Sequence, residues 1–274
     1  MKIGLVPMSA KPYHAGHHML VELAAISEIT DEVKSLELPV NDAVAVFVSF
    51  TSRGVKKVKD PTDTRTLKQG AKKIEVPKGD ETPVFGSDMK YIWNNLLKPN
   101  LQLPGKVKII TPDDGAPAAP VRSIHEVCEA LKNAYDADEE SFMVPYLGVS
   151  AVVAETTINI YSDDQDIVTN YSDAAMTQQY GELWKNQDGP AITGVGVPRT
   201  ATIEISGTKM RGYLCSGDLD QFASLLPPLP EDVKQEIAKI LSNSVSCGLP
   251  QDRQKNSQNE ILLRKYIRGA LMLN

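Results

Sequence analysis

Two histidines three residues apart, with a glycine between them, stand in the stretch Pro12-Tyr13-His14-Ala15-Gly16-His17. Imidazoles so placed can donate hydrogen bonds to a phosphoryl group whose negative charge grows in a transition state. A second stretch, Ile205-Ser206-Gly207-Thr208-Lys209-Met210-Arg211, gathers two hydroxyls and two cations. Ser206 or Thr208 can cap a following helix, and the N–H groups of a helix's first turn suit phosphate oxygens. Lys209 and Arg211 add charge-assisted donors, the arginine as a planar fork. The plainer alternatives are histidines acting as caps or metal ligands, and a capped helix with surface cations. A metal is disfavoured because no Cys or Glu stands at standard ligand spacing from the pair. His18, about 100° further round a helix, reads as ordinary surface or core.

These stretches need elements to hold them. Residues 2–7 read as a short buried strand, and 17–27 as a helix with Met19, Leu20, Leu23 and Ala24 at helical spacing. Residues 43–50 form a near-continuous apolar run, the signature of a central parallel strand covered on both faces. Strand, loop, helix, strand in this order is a βαβ unit. Residues 51–82, rich in Lys, Asp and Thr, read as an inserted loop. A helix is expected over 87–97, a strand over 106–110, a turn-rich linker over 112–120 and a helix over 124–134. Further strands are expected at 158–161 and 201–205, with a helix from about Thr208 and amphipathic helices over 230–241 and 260–273. The fold class expected is α/β: a Rossmann-like open parallel sheet with helices on both faces, plus C-terminal helices. Ligands of such a sheet lie outside the carboxyl ends of its strands. Residues 1–241 are read as this domain, with loop insertions near 51–85 and 112–145, and 242–274 as a C-terminal helical extension.

The 274 residues carry a net charge of −6, so a general nucleic-acid coat is disfavoured. The charge is uneven. Residues 53–90 hold ten Lys/Arg against six Asp/Glu, and 135–189 hold eleven acids and one Lys. The basic stretch either meets an anionic substrate or is a solvated loop. Three widely spaced cysteines suggest neither a zinc site nor a disulfide framework. With no secretory signal and no apolar run long enough to span a bilayer, a cytoplasmic protein is expected.

P-x-H-x-G-H after the first strand, with I-S-x-T-x-x-R after the last, resembles the nucleotidyltransferase superfamily, the HIGH-type fold. Its members include nicotinamide-nucleotide and FMN adenylyltransferases and glycerol-phosphate and phosphocholine cytidylyltransferases. The chain is most similar to cytidylyltransferase-like proteins of tailed bacteriophages through residues 6–12, 48–53, 161–164 and 205–211. A phage origin would make the compartment the host cytoplasm. The resemblance implies that His14 and His17 contact the nucleotide phosphates, with His17 stabilising the α-phosphoryl in the transition state. Backbone at Ser9 and Ala10 would also touch phosphate, Gly16 would lie under the ribose or base, and Ser206, Thr208 and Arg211 would hold the β- and γ-phosphates. Gly207 and Lys209 belong to the same phosphate-binding turn. Mg²⁺ is the implied cofactor, held mainly by phosphates and water rather than by a carboxylate cage.

The chain departs from the family pattern at Met8-Ser9-Ala10-Lys11, where many members carry a glycine. Lys11 adds a cation beside the triphosphate instead. Arg53 and Lys56 are candidates for gripping an acceptor phosphate. Asp163 and Asp164 are candidates for a ribose, base or metal contact, and Arg199 for base or phosphate. Each has a plain turn or surface alternative.

The expected reaction is transfer of a nucleoside monophosphate, AMP favoured over CMP, from a nucleoside triphosphate to a small phosphorylated acceptor with release of pyrophosphate. His14, His17, Lys11, Lys209 and Arg211 would supply positioning and charge stabilisation. A synthetase relative is disfavoured by a short, acidic chain without an anticodon-binding module. The rival reading is a non-catalytic nucleotide-binding or interaction protein that keeps the fold. The apolar stripe Ile261, Leu262, Tyr266, Ile267, Ala270 and Leu271 would then serve a partner or a second copy.

Overall fold

The computed structural model describes residues 1–8, 12–28, 36, 38–50, 64–69, 72–77, 86–163, 167–168, 170–198, 205 and 207–244. Within these, only the backbone is described for 64–69, 72–77, 86, 207–208 and 244. Nine strands lie among them. β1 (Lys2–Met8), β2 (Ala43–Val48), β5 (Val107–Ile110), β8 (Thr157–Asp163) and β9 (Ala191–Val197) form one sheet in the order β5-β2-β1-β8-β9, every neighbour parallel. β3 (Thr64–Gln69) with β4 (Lys72–Pro77), and β6 (Ser141–Val144) with β7 (Val149–Val152), are separate antiparallel hairpins.

The apolar run at 43–50 does what its composition requires. Val44 to Val48 are all buried, with alternate side chains in the cores on the two faces of the sheet. One face is covered by α1 (Ala15–Ala24), by α2 (Gly86–Tyr91, continuing through a wide π turn at Ile92–Leu97 to Asn100), and by α5 (Gly207–Ser216), α6 (Leu219–Ser224) and α7 (Glu231–Ser244). The other is covered by α3 (Pro120–Asp136), α4 (Asp173–Tyr180) and the β6–β7 hairpin. The chain is thus an α/β protein with a Rossmann-like parallel sheet and helices on both faces.

Strand order reverses between β1 and β8, and a crevice follows from that reversal. The two strands pair from Lys2/Thr157 to Leu5/Ile160. Both then run three residues further, to Met8 and Asp163, without pairing to each other. They part at their carboxyl ends, where the chain leaves β1 towards α1.

A buried polar network fixes the other end of α1. Asn41 Nδ2 donates to the Ala24 carbonyl at 2.8 Å and to the Tyr161 hydroxyl at 2.7 Å, while Asn41 Oδ1 accepts from Asn159 Nδ2 at 2.8 Å. The Thr193 hydroxyl donates to Asn159 Oδ1 at 2.8 Å. Helix end, loop and two strands are thereby tied together, so the direction of α1 is set by the sheet. Gly4 leaves room for this knot, because a Cβ there would stand 3.0 Å from Asn41 Nδ2 and 3.2 Å from Val44 Cγ2. Gly4→Ala is expected to cost about 1–3 kcal/mol by overpacking, and less in an Asn41→Ala background. Urea unfolding of the four proteins measures both.

Three readings need correction. The stretch 51–82 is not structureless, since β3 and β4 lie within it. Among the described residues they pair only with each other, so no continuous apolar run betrays them. The β6–β7 hairpin, inside the expected 112–145 insertion and just beyond it, also went unread. The last sheet strand among the described residues is Ala191–Val197, whose glycines disguised it. Of the expected strand at 201–205 only Ile205 is described, outside any strand. The cysteine reading changes as well: Cys128 is a buried free thiol, but Cys215 is disulfide-bonded. An odd count with wide spacing does not preclude one bridge. The expected helix at 260–273 lies outside the described residues.

Candidate phosphate-binding site

α1 begins at the carboxyl edge of the sheet, and His14 is its N-cap residue in extended geometry. No side chain among the described residues caps the helix. The Ala15 N–H donates to the Leu225 carbonyl at 2.9 Å, which ties α1 to the turn after α6. The N–H groups of Gly16 and His17 have no partner among the described residues. An uncapped first turn of this kind carries a partial positive charge and donors for an anion.

Two imidazoles frame it. The rings of His14 and His17 stack with centroids 3.7 Å apart and planes 29° apart. His14 is buried and His17 half-buried. The Nδ1 atom of each is shut off from solvent and has no hydrogen-bond partner among the described residues. Two buried, orphaned imidazole nitrogens are costly unless something is meant to meet them. Burial pushes the His14 pKa down to about 4. It drives His17 well below the usual imidazole range, with the adjacent His14 ring adding to the effect. In the ligand-free protein at neutral pH the pair is therefore uncharged.

Behind the pair stands an aromatic block absent from the sequence reading. The buried Tyr13 ring stacks with His17 at 5.9 Å and 12°. Its hydroxyl is 3.2 Å from His18 Nδ1. Trp93, in the π turn of α2, meets Tyr13 at 5.0 Å and 60°. His18 is a core residue, as one of its two readings held, and its Nε2 lies 3.5 Å from a Glu22 carboxylate oxygen. Burial lowers the His18 pKa, with Glu22 opposing the shift. Tyr13 was legible as part of the P-x-H-x-G-H stretch, whereas nothing in the sequence marks Trp93.

The other candidates divide. Gly207 and Thr208 open α5 and Lys209 is exposed on it, with Arg211 half-buried one turn along. Asp163 is half-buried at the carboxyl end of β8, beside the parted strands. Ser9, Ala10, Lys11, Arg53, Lys56, Asp164, Arg199 and Ser206 lie outside the described residues. Among the described residues no group of three or more His, Cys, Asp or Glu could hold a metal ion. Nor is any helix there long and apolar enough to cross a membrane.

Fold and site together define an α/β protein whose parallel sheet parts at its switch point beside an uncapped, histidine-framed helix start. No family model, curated protein or solved structure matches the chain.

Proposed function

We propose that the protein is a nucleotidyltransferase of the HxGH superfamily. It would transfer a nucleoside monophosphate from a nucleoside triphosphate to a small phosphorylated acceptor. The observation that carries this reading is the stacked imidazole pair, each ring with a buried, orphaned Nδ1, at the start of α1 beside the parted strands. A phosphate seated there gains amide donors from Gly16 and His17, and an N–H from each ring. Those are the groups that stabilise charge on a phosphoryl oxygen.

In the proposed reaction an acceptor oxygen attacks the α-phosphorus in line. The new O–P bond forms as the bond from that phosphorus to the β-bridging oxygen breaks, and pyrophosphate leaves. No protein nucleophile takes part. His14 and His17 stabilise the α-phosphoryl. Gly207, Thr208 and the cations Lys209 and Arg211 hold the departing phosphates, joined by Ser206 on the family resemblance. That resemblance also brings the backbone at Ser9 and Ala10 to phosphate, while Lys11, where the chain departs from the family, adds a cation beside the triphosphate. Mg²⁺ fits as an ion carried in on the triphosphate, because the described donors at the site are N–H groups, which suit phosphate rather than the ion. When bound it neutralises charge on the leaving pyrophosphate. Asp163, at the carboxyl end of β8, is the candidate for a ribose, base or metal contact. Adenylyl transfer is preferred to cytidylyl transfer on the form of the I-S-G-T-K-M-R stretch.

Pyrophosphate release from each of the four common nucleoside triphosphates with Mg²⁺, across a panel of phosphorylated acceptors, tests the proposal. One donor is expected to give acceptor-dependent release. Saturable nucleotide binding with no release for any acceptor would favour the non-catalytic alternative.

A further inference from the structure

An imidazole that must meet a phosphoryl oxygen needs its ring plane fixed, and in many sites a hydrogen bond to the ring's rear nitrogen does this. That device is missing here among the described residues, since neither ring nitrogen of His14 or His17 has a hydrogen-bond partner there. What surrounds His17 is ring packing: His14 stacked at 3.7 Å, and Tyr13 near-parallel at 5.9 Å. Tyr13 is held in turn at three points. Trp93 meets its ring at 5.0 Å, the His18 ring stands edge-on at 6.2 Å and 89°, and its hydroxyl is 3.2 Å from His18 Nδ1. Trp93 is seated in the core by a π turn, a local widening of the helix often found beside functional sites. Its own indole N–H has no partner among the described residues, so its seat is one of shape rather than hydrogen bonding.

We propose that Tyr13 is the positioning residue of the site, its ring clamped by Trp93 and His18 and setting the plane in which His17 meets phosphate. The hydroxyl tether and the ring face have separable tasks. Trp93 and the edge of His18 fix where the Tyr13 ring sits, the hydroxyl contact is a secondary tie, and the face transmits that position to His17. The role of the phosphate rests on the nucleotidyltransferase reading, whereas the ordering of His17 by Tyr13 does not.

Two variants separate the tasks. Tyr13→Phe keeps the ring and loses the tether, and Tyr13→Leu loses the face. The first measurement is the imidazole NMR spectrum of ligand-free protein labelled at histidine, with His17→Gln used for assignment. The Leu variant is expected to shift and broaden the His17 signals, and the Phe variant to leave them near wild type. The second is turnover well below each variant's unfolding midpoint. The Leu variant is expected to lose about 10–100-fold in kcat with little change in nucleotide KM, the pattern of a misplaced group. The Phe variant should lose less than about 5-fold, as expected when the ring face persists.

Unmoved His17 signals in a folded Leu variant would overturn the proposal, as would equal losses in the two variants. If the Leu variant does not fold, Trp93→Phe takes its place. It keeps an aromatic seat of smaller area and should shift the His17 signals in the same direction, and unmoved signals would again overturn the proposal. Absence of nucleotide binding by the wild type would defeat the nucleotidyltransferase reading alone, while the ligand-free spectra still decide the role of Tyr13.

Discussion

His17→Ala is expected to lower nucleotidyl transfer by about 100–1,000-fold, the loss of about 3–4 kcal/mol typical of deleting one preorganised donor. Preorganisation is visible in the structure. The His17 ring is stacked with both His14 and Tyr13, and its Nδ1 is shielded from water. Little rearrangement is therefore needed when charge develops on the phosphoryl oxygen, and nothing in the variant replaces the lost donor. The amides of the α1 start and the cations of α5 would still bind the triphosphate, but more weakly without the His17 donor, so nucleotide affinity should fall along with kcat. His14→Ala should act in the same direction. The double variant should lose less than the product of the single losses, since each ring supports the other. Single-turnover pyrophosphate release by the four proteins measures this. Equal rates in wild type and His17→Ala would remove His17 from the reaction.

The second large effect concerns stability and pH. The folded protein holds His14 at a pKa of about 4, against an unfolded value of 6.5, because burial penalises its charged form. Between these values the unfolded chain binds more protons than the folded one, so stability rises with pH. The contribution is fully present above about pH 6.5 and is lost as pH falls through about 4. At about 1.4 kcal/mol per unit, His14 alone accounts for about 3 kcal/mol. His17, shifted in the same direction by the same cause, steepens the loss. Urea unfolding across pH 4–8 is expected to show a plateau above 6.5 and a decline below it, with a shallower decline in His14→Asn. Inorganic pyrophosphate should flatten the decline further, since an anion beside the rings favours their charged forms. A profile identical in wild type and His14→Asn would mean that the buried ring is not what titrates.

Parts of this architecture were legible in the chain for definite reasons. β1 and β2 are covered on both faces, so their residues had to be apolar in sequence, and the run at Ala43–Val48 could be read directly. The start of α1 was marked by His14, Gly16 and His17. β9 was hidden because of its glycines. Gly194 and Gly196 interrupt its apolar residues, so the segment resembles a loop. The β3–β4 hairpin has no partner strand in the main sheet and needs no apolar alternation, so Thr64–Gln69 looked like solvated chain. The clamp behind His17 was illegible for another reason. Trp93 lies eighty positions from Tyr13, and only the fold of α2 over β1 and α1 brings the rings together. His18 was read only as surface or core. It is core, and its Nδ1 also faces the Tyr13 hydroxyl.

The central claim is that the histidine-framed start of α1 binds a nucleoside triphosphate. Thermal unfolding of wild type and His17→Ala, each with ATP, CTP, GTP or UTP and Mg²⁺, tests it most directly. A nucleotide present at about a hundred times its Kd stabilises the folded state by about 2.7 kcal/mol, worth roughly 5 °C in a chain of this size. One nucleotide is expected to raise the wild-type midpoint by about that amount and the variant's midpoint less. No rise with any nucleotide, or an equal rise in both proteins, would contradict the claim.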